Sequence, residues 1–157
     1  MATISGTSGD DTRIGTSEAD RISLLSGNDR ASGRDGGDTL FGGNGNDTLS
    51  GGNDGDTLFG GAGSDRLTGD DDADRIFGGN DGDILLGGND DDGVSGGAGN
   101  DTLFGGNDSD RLDGGTEDDK LFGGADDDRL AGSTGPEQEA ARDCISINRI
   151  TSRTTFR

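Results

Sequence analysis

Fourteen aspartates stand nine residues apart without a break: Asp11, Asp20, Asp29, Asp38, Asp47, Asp56, Asp65, Asp74, Asp83, Asp92, Asp101, Asp110, Asp119 and Asp128. A short fixed period means one backbone conformation stacked on itself, which turns the aspartates into a ladder. Two carboxylates held ~5 Å apart repel by about 1 kcal/mol in water and by about 3 kcal/mol at an effective dielectric of 20. A ladder of them needs cations. The sequence contains no His, Lys120 is its single lysine, and each carboxylate is accounted for by the repeat. No nucleophile–base or acid–base pair stands out, so no enzyme is expected.

The aspartates are the sixth residues of fourteen nonapeptides that run from Gly6 to Ala131 with no insertion or deletion. The eighth residue is aliphatic in twelve units: Ile22, Leu40, Leu49, Leu58, Leu67, Ile76, Leu85, Val94, Leu103, Leu112, Leu121 and Leu130; Arg13 and Ala31 are the exceptions. Strand alternation would turn the eighth residue inward and the seventh and ninth outward. The seventh is accordingly Thr, Arg or Lys in most units (Thr39, Thr48, Thr57, Arg66, Arg75, Thr102, Arg111, Lys120, Arg129), read as solvated strand residues that moderate self-repulsion. At the ninth, Phe41, Phe59 and Phe77 recur every eighteen residues, and Phe104 and Phe122 do so in the other set of alternate units. Eighteen is therefore the coil length. The rings either stack on one another or form a docking face for a passenger domain or a second roll.

Of 157 residues, 34 are Gly, and the formal net charge is −20. The charge is uneven: residues 1–131 hold 30 acids against 9 bases, and residues 132–157 hold 3 against 4. Such a surface repels phosphates, so nucleic acid and anionic lipid are not expected partners. Only 25% of the residues are hydrophobic, which by composition alone suggests disorder. The unbroken period argues otherwise. It also implies that metal supplies cohesion the thin apolar interior lacks, and that the metal-free chain is unfolded.

Gly42–Ser50 reads GGNGNDTLS, Gly60–Thr68 GGAGSDRLT and Gly96–Phe104 GGAGNDTLF. These resemble G-G-x-G-x-D-x-U-x, the calcium-binding nonapeptide of RTX (hemolysin-type) proteins, and the resemblance covers residues 6–131. It implies an all-β parallel β-roll, a β-solenoid of fourteen half-turns and about seven coils. The first six residues of each unit would turn and the last three would form a short strand. Calcium would sit between turns, held by the fourteen aspartates and by turn carbonyls of units two apart. Pairing each aspartate with the one eighteen residues on gives at most about twelve ions, from Asp11–Asp29 to Asp110–Asp128. Oxygen-only ligands suit a hard cation of six to eight coordination. At a strand spacing of about 4.8 Å the rod would be ~34 Å long.

Several units depart from the pattern. The fourth position is acidic at Glu18, Asp54, Asp72, Asp81, Asp90, Asp108, Glu117 and Asp126. Gly51–Phe59 and Gly78–Leu86 carry their glycine one place later, at Gly55 and Gly82, as though the flexible point had shifted. Asp70 occupies a second position, and Leu24–Ser32 lacks both leading glycines. These turns and the first two units are expected to hold metal least well.

Residues 1–5 read as a lead-in, 6–131 as the calcium-binding roll and 132–157 as a non-repeat tail. In the tail, Pro136 with Glu137 and Glu139 predicts a short helix whose apolar face would include Ala140, Ala141, Cys144, Ile145 and Ile147. Its role would be an end cap, an export signal or a vestige. Cys144 is the single cysteine and forms no internal disulfide. No stretch could span a membrane, and the first residues lack a secretory signal pattern. The resemblance implies type I secretion to the medium or cell surface of a bacterium. The expected function is calcium binding by a structural, adhesive or secretion-coupled folding module. The alternatives are the RTX section of a toxin, protease, lipase or adhesin, and a disordered acidic calcium buffer.

Overall fold

A computed structural model describes residues 1–132 and the backbone of the strand Cys144–Ser146. Its strands in chain order are β1 (Thr3–Ser5), β2 (Thr12–Ile14), β3 (Arg21–Ser23), β4 (Arg30–Asp35), β5 (Thr39–Asn44), β6 (Thr48–Asn53), β7 (Thr57–Ala62) and β8 (Arg66–Asp70). They continue as β9 (Arg75–Asn80), β10 (Ile84–Gly88), β11 (Gly93–Ala98), β12 (Thr102–Gly106), β13 (Arg111–Thr116), β14 (Lys120–Gly124), β15 (Arg129–Ala131) and β16 (Cys144–Ser146). Odd-numbered strands form one parallel sheet in sequence order and even-numbered strands form the other. Each strand pairs with the strand eighteen residues on, as in Leu40↔Leu58 and Leu67↔Leu85, until the tail alters the spacing. The fold is a parallel β-solenoid of about seven turns.

One cluster of inward side chains fills the space between the sheets. It comprises Ile22, Leu40, Leu49, Leu58, Leu67, Ile76, Leu85, Val94, Leu103, Leu112 and Leu121 from the eighth positions, together with Ala31 and Leu24. Leu24 stands where other units have a leading glycine, yet it is fully buried. It supplies apolar volume at the end of the rod where the eighth positions are Arg13 and Ala31. Ile4 packs against the same cluster and pairs with Ile22, so the first strand precedes the first complete nonapeptide.

The strands are longer than the expected triplet. From β4 to β14 they continue through the first two or three residues of the next nonapeptide, because those residues also pair across coils, as Gly43↔Gly61 and Asn44↔Ala62 do. Turning is left to fewer residues. From Leu24 onward every unit has two residues at positive φ, its second and its fourth, as at Gly43 (114°) and Gly45 (117°). No residue of the first two units has one. The flexible point does not shift in the two units with displaced glycines. Asp54 (φ 70°) and Asp81 (φ 69°) take the left-handed conformation themselves, which Asp tolerates better than most residues.

The phenylalanines form two stacks. Phe41–Phe59 and Phe59–Phe77 have ring centroids 4.9 and 5.0 Å apart on the odd-numbered sheet, and Phe104–Phe122 lie 4.9 Å apart on the even-numbered one. The Arg21 guanidinium lies 4.2 Å from the Phe41 ring centre. At the far end β16 pairs with β14 and places Ile145 opposite Leu121. Cys144–Ser146 is thus strand, not part of a helix, because an open sheet edge offers it backbone partners. The rest of the helix expected from Pro136 lies outside the described residues.

Candidate metal sites

Every sixth-position aspartate sits at the end of a turn, directly before a strand, and the coil repeat sets each one above the next. From Asp20 to Asp119 they are buried, with Asp29 and Asp83 each 1% exposed. From Asp11 to Asp110 the backbone N–H of each aspartate donates to Oδ1 of the aspartate eighteen residues later. Asp29 donates to Asp47 at 2.8 Å, Asp47 to Asp65 at 2.7 Å, Asp65 to Asp83 at 2.8 Å and Asp83 to Asp101 at 2.8 Å. The aspartate carbonyls join the ladder too, Asp47 O accepting from Arg66 N–H at 2.9 Å. The series runs unbroken from Asp11–Asp29 to Asp110–Asp128. The pairs expected from the eighteen-residue spacing are therefore in contact.

The second carboxylate oxygen is treated differently. Oδ2 of Asp29, Asp38, Asp47, Asp56, Asp65, Asp74, Asp83, Asp92, Asp101, Asp110 and Asp128 is buried and accepts no hydrogen bond. A buried anionic oxygen without a donor is costly unless a cation meets it. A second oxygen is close by. A Cβ built on Gly42 would collide with Asp47 Oδ2 and lie 2.7 Å from the Gly60 carbonyl, two units on. Gly60 faces Asp65 Oδ2 and the Gly78 carbonyl in the same way, and Gly96 faces Asp101 Oδ2 and the Gly114 carbonyl. The leading glycine thus keeps open a space lined by carboxylate and carbonyl oxygens. Leu24 leads its unit instead, and there too Asp29 Oδ2 accepts no hydrogen bond.

Burial raises the affinity of these carboxyls for protons. It pushes Asp56, Asp74, Asp83, Asp92 and Asp110 up to about 7 and Asp65 and Asp101 up to about 6, against the pull of the incoming backbone N–H. Neighbouring carboxylates add to the rise, Asp74 and Asp38 at Asp56 for example. Asp38 and Asp47 are raised by burial as well. A group that resists ionisation for want of a counter-charge is one that a divalent cation stabilises. Among the described residues no three acidic, Cys or His side chains converge on a point. An ion here would draw much of its shell from backbone carbonyls, which a hard cation such as calcium accepts.

Asp11 and Asp20 differ. The Thr7 N–H and hydroxyl both donate to Asp11 Oδ2, the hydroxyl at 2.9 Å, and Asp11 Oδ1 pairs with Arg13 at 2.8 Å. The Thr16 N–H and hydroxyl hold Asp20 Oδ2 at 2.6 and 2.8 Å, and the Ala2 N–H meets its Oδ1. The Thr7 N–H is the main influence holding the Asp11 carboxyl below its usual range, and the Thr16 N–H does the same for Asp20. Neither threonine was singled out by the sequence reading. Their signal is a G-T-S opening, Gly6–Ser8 and Gly15–Ser17, where the motif has G-G-x.

A second ladder lies outside the aspartates, at the fifth position. Asn46 N–H donates to Asn28 Oδ1 at 2.9 Å, Ser64 N–H to Asn46 Oδ1 at 2.8 Å and Asp118 N–H to Asn100 Oδ1 at 3.0 Å. These bonds satisfy turn amides without metal.

Compared with known families, the chain matches the model of the RTX calcium-binding nonapeptide repeat over residues 3–30, 14–49, 50–85, 68–103 and 104–136. No curated protein matches it significantly.

Proposed function

The chain belongs to the RTX calcium-binding nonapeptide-repeat family, and from that premise we propose that it is a calcium-binding β-roll whose folding is coupled to the metal. The family's repeats bind calcium. The observation that carries the coupling is the row of buried Oδ2 atoms with no hydrogen-bond donor. Without metal, each is a charge removed from water with nothing to offset it; with metal, each becomes a ligand. The aspartates from Asp29 to Asp128 are the ligands we assign, with the roll at 6–131 between a short lead-in and the tail. Calcium at each site would bring a divalent charge and a demand for six to eight oxygens.

The proposed setting is the bacterial exterior, reached by a type I route, where calcium is plentiful. In the calcium-poor cytosol the repulsive ladder keeps the chain open, and outside it closes into a structural or adhesive module. Affinity per site is expected around 10⁻⁴–10⁻³ M, as in extracellular calcium modules. No catalytic role is proposed, and no helix among the described residues is long and apolar enough to cross a membrane. A second reading, as the RTX section of a larger toxin, protease, lipase or adhesin, draws on the exposed ends of the ring stacks. Phe77 is 39% and Phe104 38% exposed, enough to offer a passenger or second roll a contact.

Calcium titration followed by circular dichroism tests the coupling. The expected result is a coil-like spectrum in EDTA and a cooperative rise of β-signal near millimolar calcium. A complete β-spectrum in EDTA would refute it, and a chain that binds calcium without gaining β-structure would be the disordered buffer instead.

A further inference from the structure

Thr7 and Thr16 occupy the second position of the first two units, where the following units have Gly, or Leu25, Arg34 and Asp70, at positive φ. That difference redirects a donor. In the first two units the second residue does not adopt the left-handed conformation, and its N–H turns onto Oδ2 of the aspartate in its own unit. The hydroxyl then adds a second bond to the same oxygen. Each hydroxyl is itself braced in the turn, with Gly9 N–H and Glu18 N–H donating to the Oγ1 atoms of Thr7 and Thr16 at 3.3 and 3.2 Å. The remaining oxygens are also taken, Asp11 Oδ1 by Arg13 and Asp20 Oδ1 by the Ala2 N–H.

We infer that the first two units are a metal-free cap: Thr7 and Thr16 supply Asp11 and Asp20 with the donors that calcium supplies to the later aspartates, so the ion ladder begins at Asp29. The inference rests on the calcium reading and refines its ligand set. A neutral hydroxyl and an amide satisfy the carboxylate without a second charge, so this end of the rod needs no ion of its own. β2 is the edge of its sheet and β3 has only the three-residue β1 outside it, so this end could enclose an ion least well. Two hydrogen bonds within a single turn need no such neighbour. The pairs Asp11–Asp29 and Asp20–Asp38 then cease to be sites, and the series runs from Asp29–Asp47 onward.

The test is the number of calcium ions bound per chain at saturation, measured by equilibrium dialysis on the full chain and on Asp11→Asn, Asp20→Asn and Asp65→Asn. Asp11→Asn and Asp20→Asn are expected to keep the wild-type count, with a calcium midpoint within about twofold, whereas Asp65→Asn loses at least one ion. A lower count in Asp11→Asn or Asp20→Asn overturns the cap. Failure of the wild type to bind calcium would instead bring down the function it refines. If an Asn variant does not fold, Thr7→Val with Thr16→Val decides the question by amide exchange in saturating calcium. Faster exchange at residues 2–23 with an unchanged ion count supports the cap, and unchanged exchange overturns it.

Discussion

The first two units and the middle of the repeat series solve one electrostatic problem in two ways. In the first two units a threonine faces each aspartate and the carboxyl ionises readily. In the middle of the rod the second residue turns to positive φ, no donor reaches the same oxygen, and burial makes the carboxyl reluctant to ionise. Burial by itself does not leave a carboxylate oxygen without a donor, since Asp20 is only 3% exposed and fully hydrogen-bonded. What matters is whether the turn aims a donor at the second oxygen.

The largest contrast is expected at the fourth position. Gly45 has φ 117°, and a Cβ there would collide with the Gly27 carbonyl, whereas Gly9, its counterpart in the first unit, has open space around its Cβ direction. Gly45→Ala should therefore cost about 1–3 kcal/mol of backbone strain in addition to the clash, and raise the calcium midpoint tenfold or more. Gly9→Ala should change it by less than twofold. Equal effects in the dichroism titration would erase the distinction between the two regions.

Next in size is removal of a ligand. Asp65→Ala should shift the midpoint to higher calcium, and more than Asp11→Ala does, because it interrupts the ladder on both sides. Equal shifts would argue against a cooperative stack.

The third contrast is in pH, with calcium chelated. Folded-state values of about 6 to 7 in the central aspartates lie above the ordinary 3.8. Their protonated forms favour the folded roll, so that contribution is complete below pH 3.8 and lost as pH rises through 6–7. Acidifying the chelated protein from pH 8 toward 4 should thus restore β-signal, while in calcium the same change should raise the midpoint as protons compete. Asp11 and Asp20 have lowered values and act oppositely: their contribution is present above 3.8 and lost as pH falls through the lowered range. A chelated protein that shows no gain of β-signal on acidification would mean that the central carboxylates are not shielded from water as described.

The smallest effect is expected from the rings. Phe59→Ala removes two stacked contacts, each about 0.5–1.5 kcal/mol beyond area burial, and should raise the midpoint severalfold. No change would mean that the stack merely shares space.

The period of nine made the solenoid, its inward column and the eighteen-residue pairing legible before any coordinates, because each follows from one conformation stacked on itself. The ring stacks were legible for the same reason. What escaped was local. Leu24 reads as a broken motif, but its side chain fills a gap that only the neighbouring Arg13 and Ala31 reveal. Gly55 and Gly82 read as displaced hinges, yet Asp54 and Asp81 do the bending, since backbone pairing fixes where the corner must fall. The threonine bonds escaped because a motif describes which residues recur, not where an amide points when they do not. The tail escaped because residues outside a repeat carry no register, and only pairing with β14 assigns Cys144–Ser146 to a strand.

The two ring stacks sit on opposite sheets and in different halves of the chain, one over residues 41–77 and the other over 104–122. A single flat partner can lie along one of them but never both. A contact made through one stack therefore leaves the other free on the opposite face.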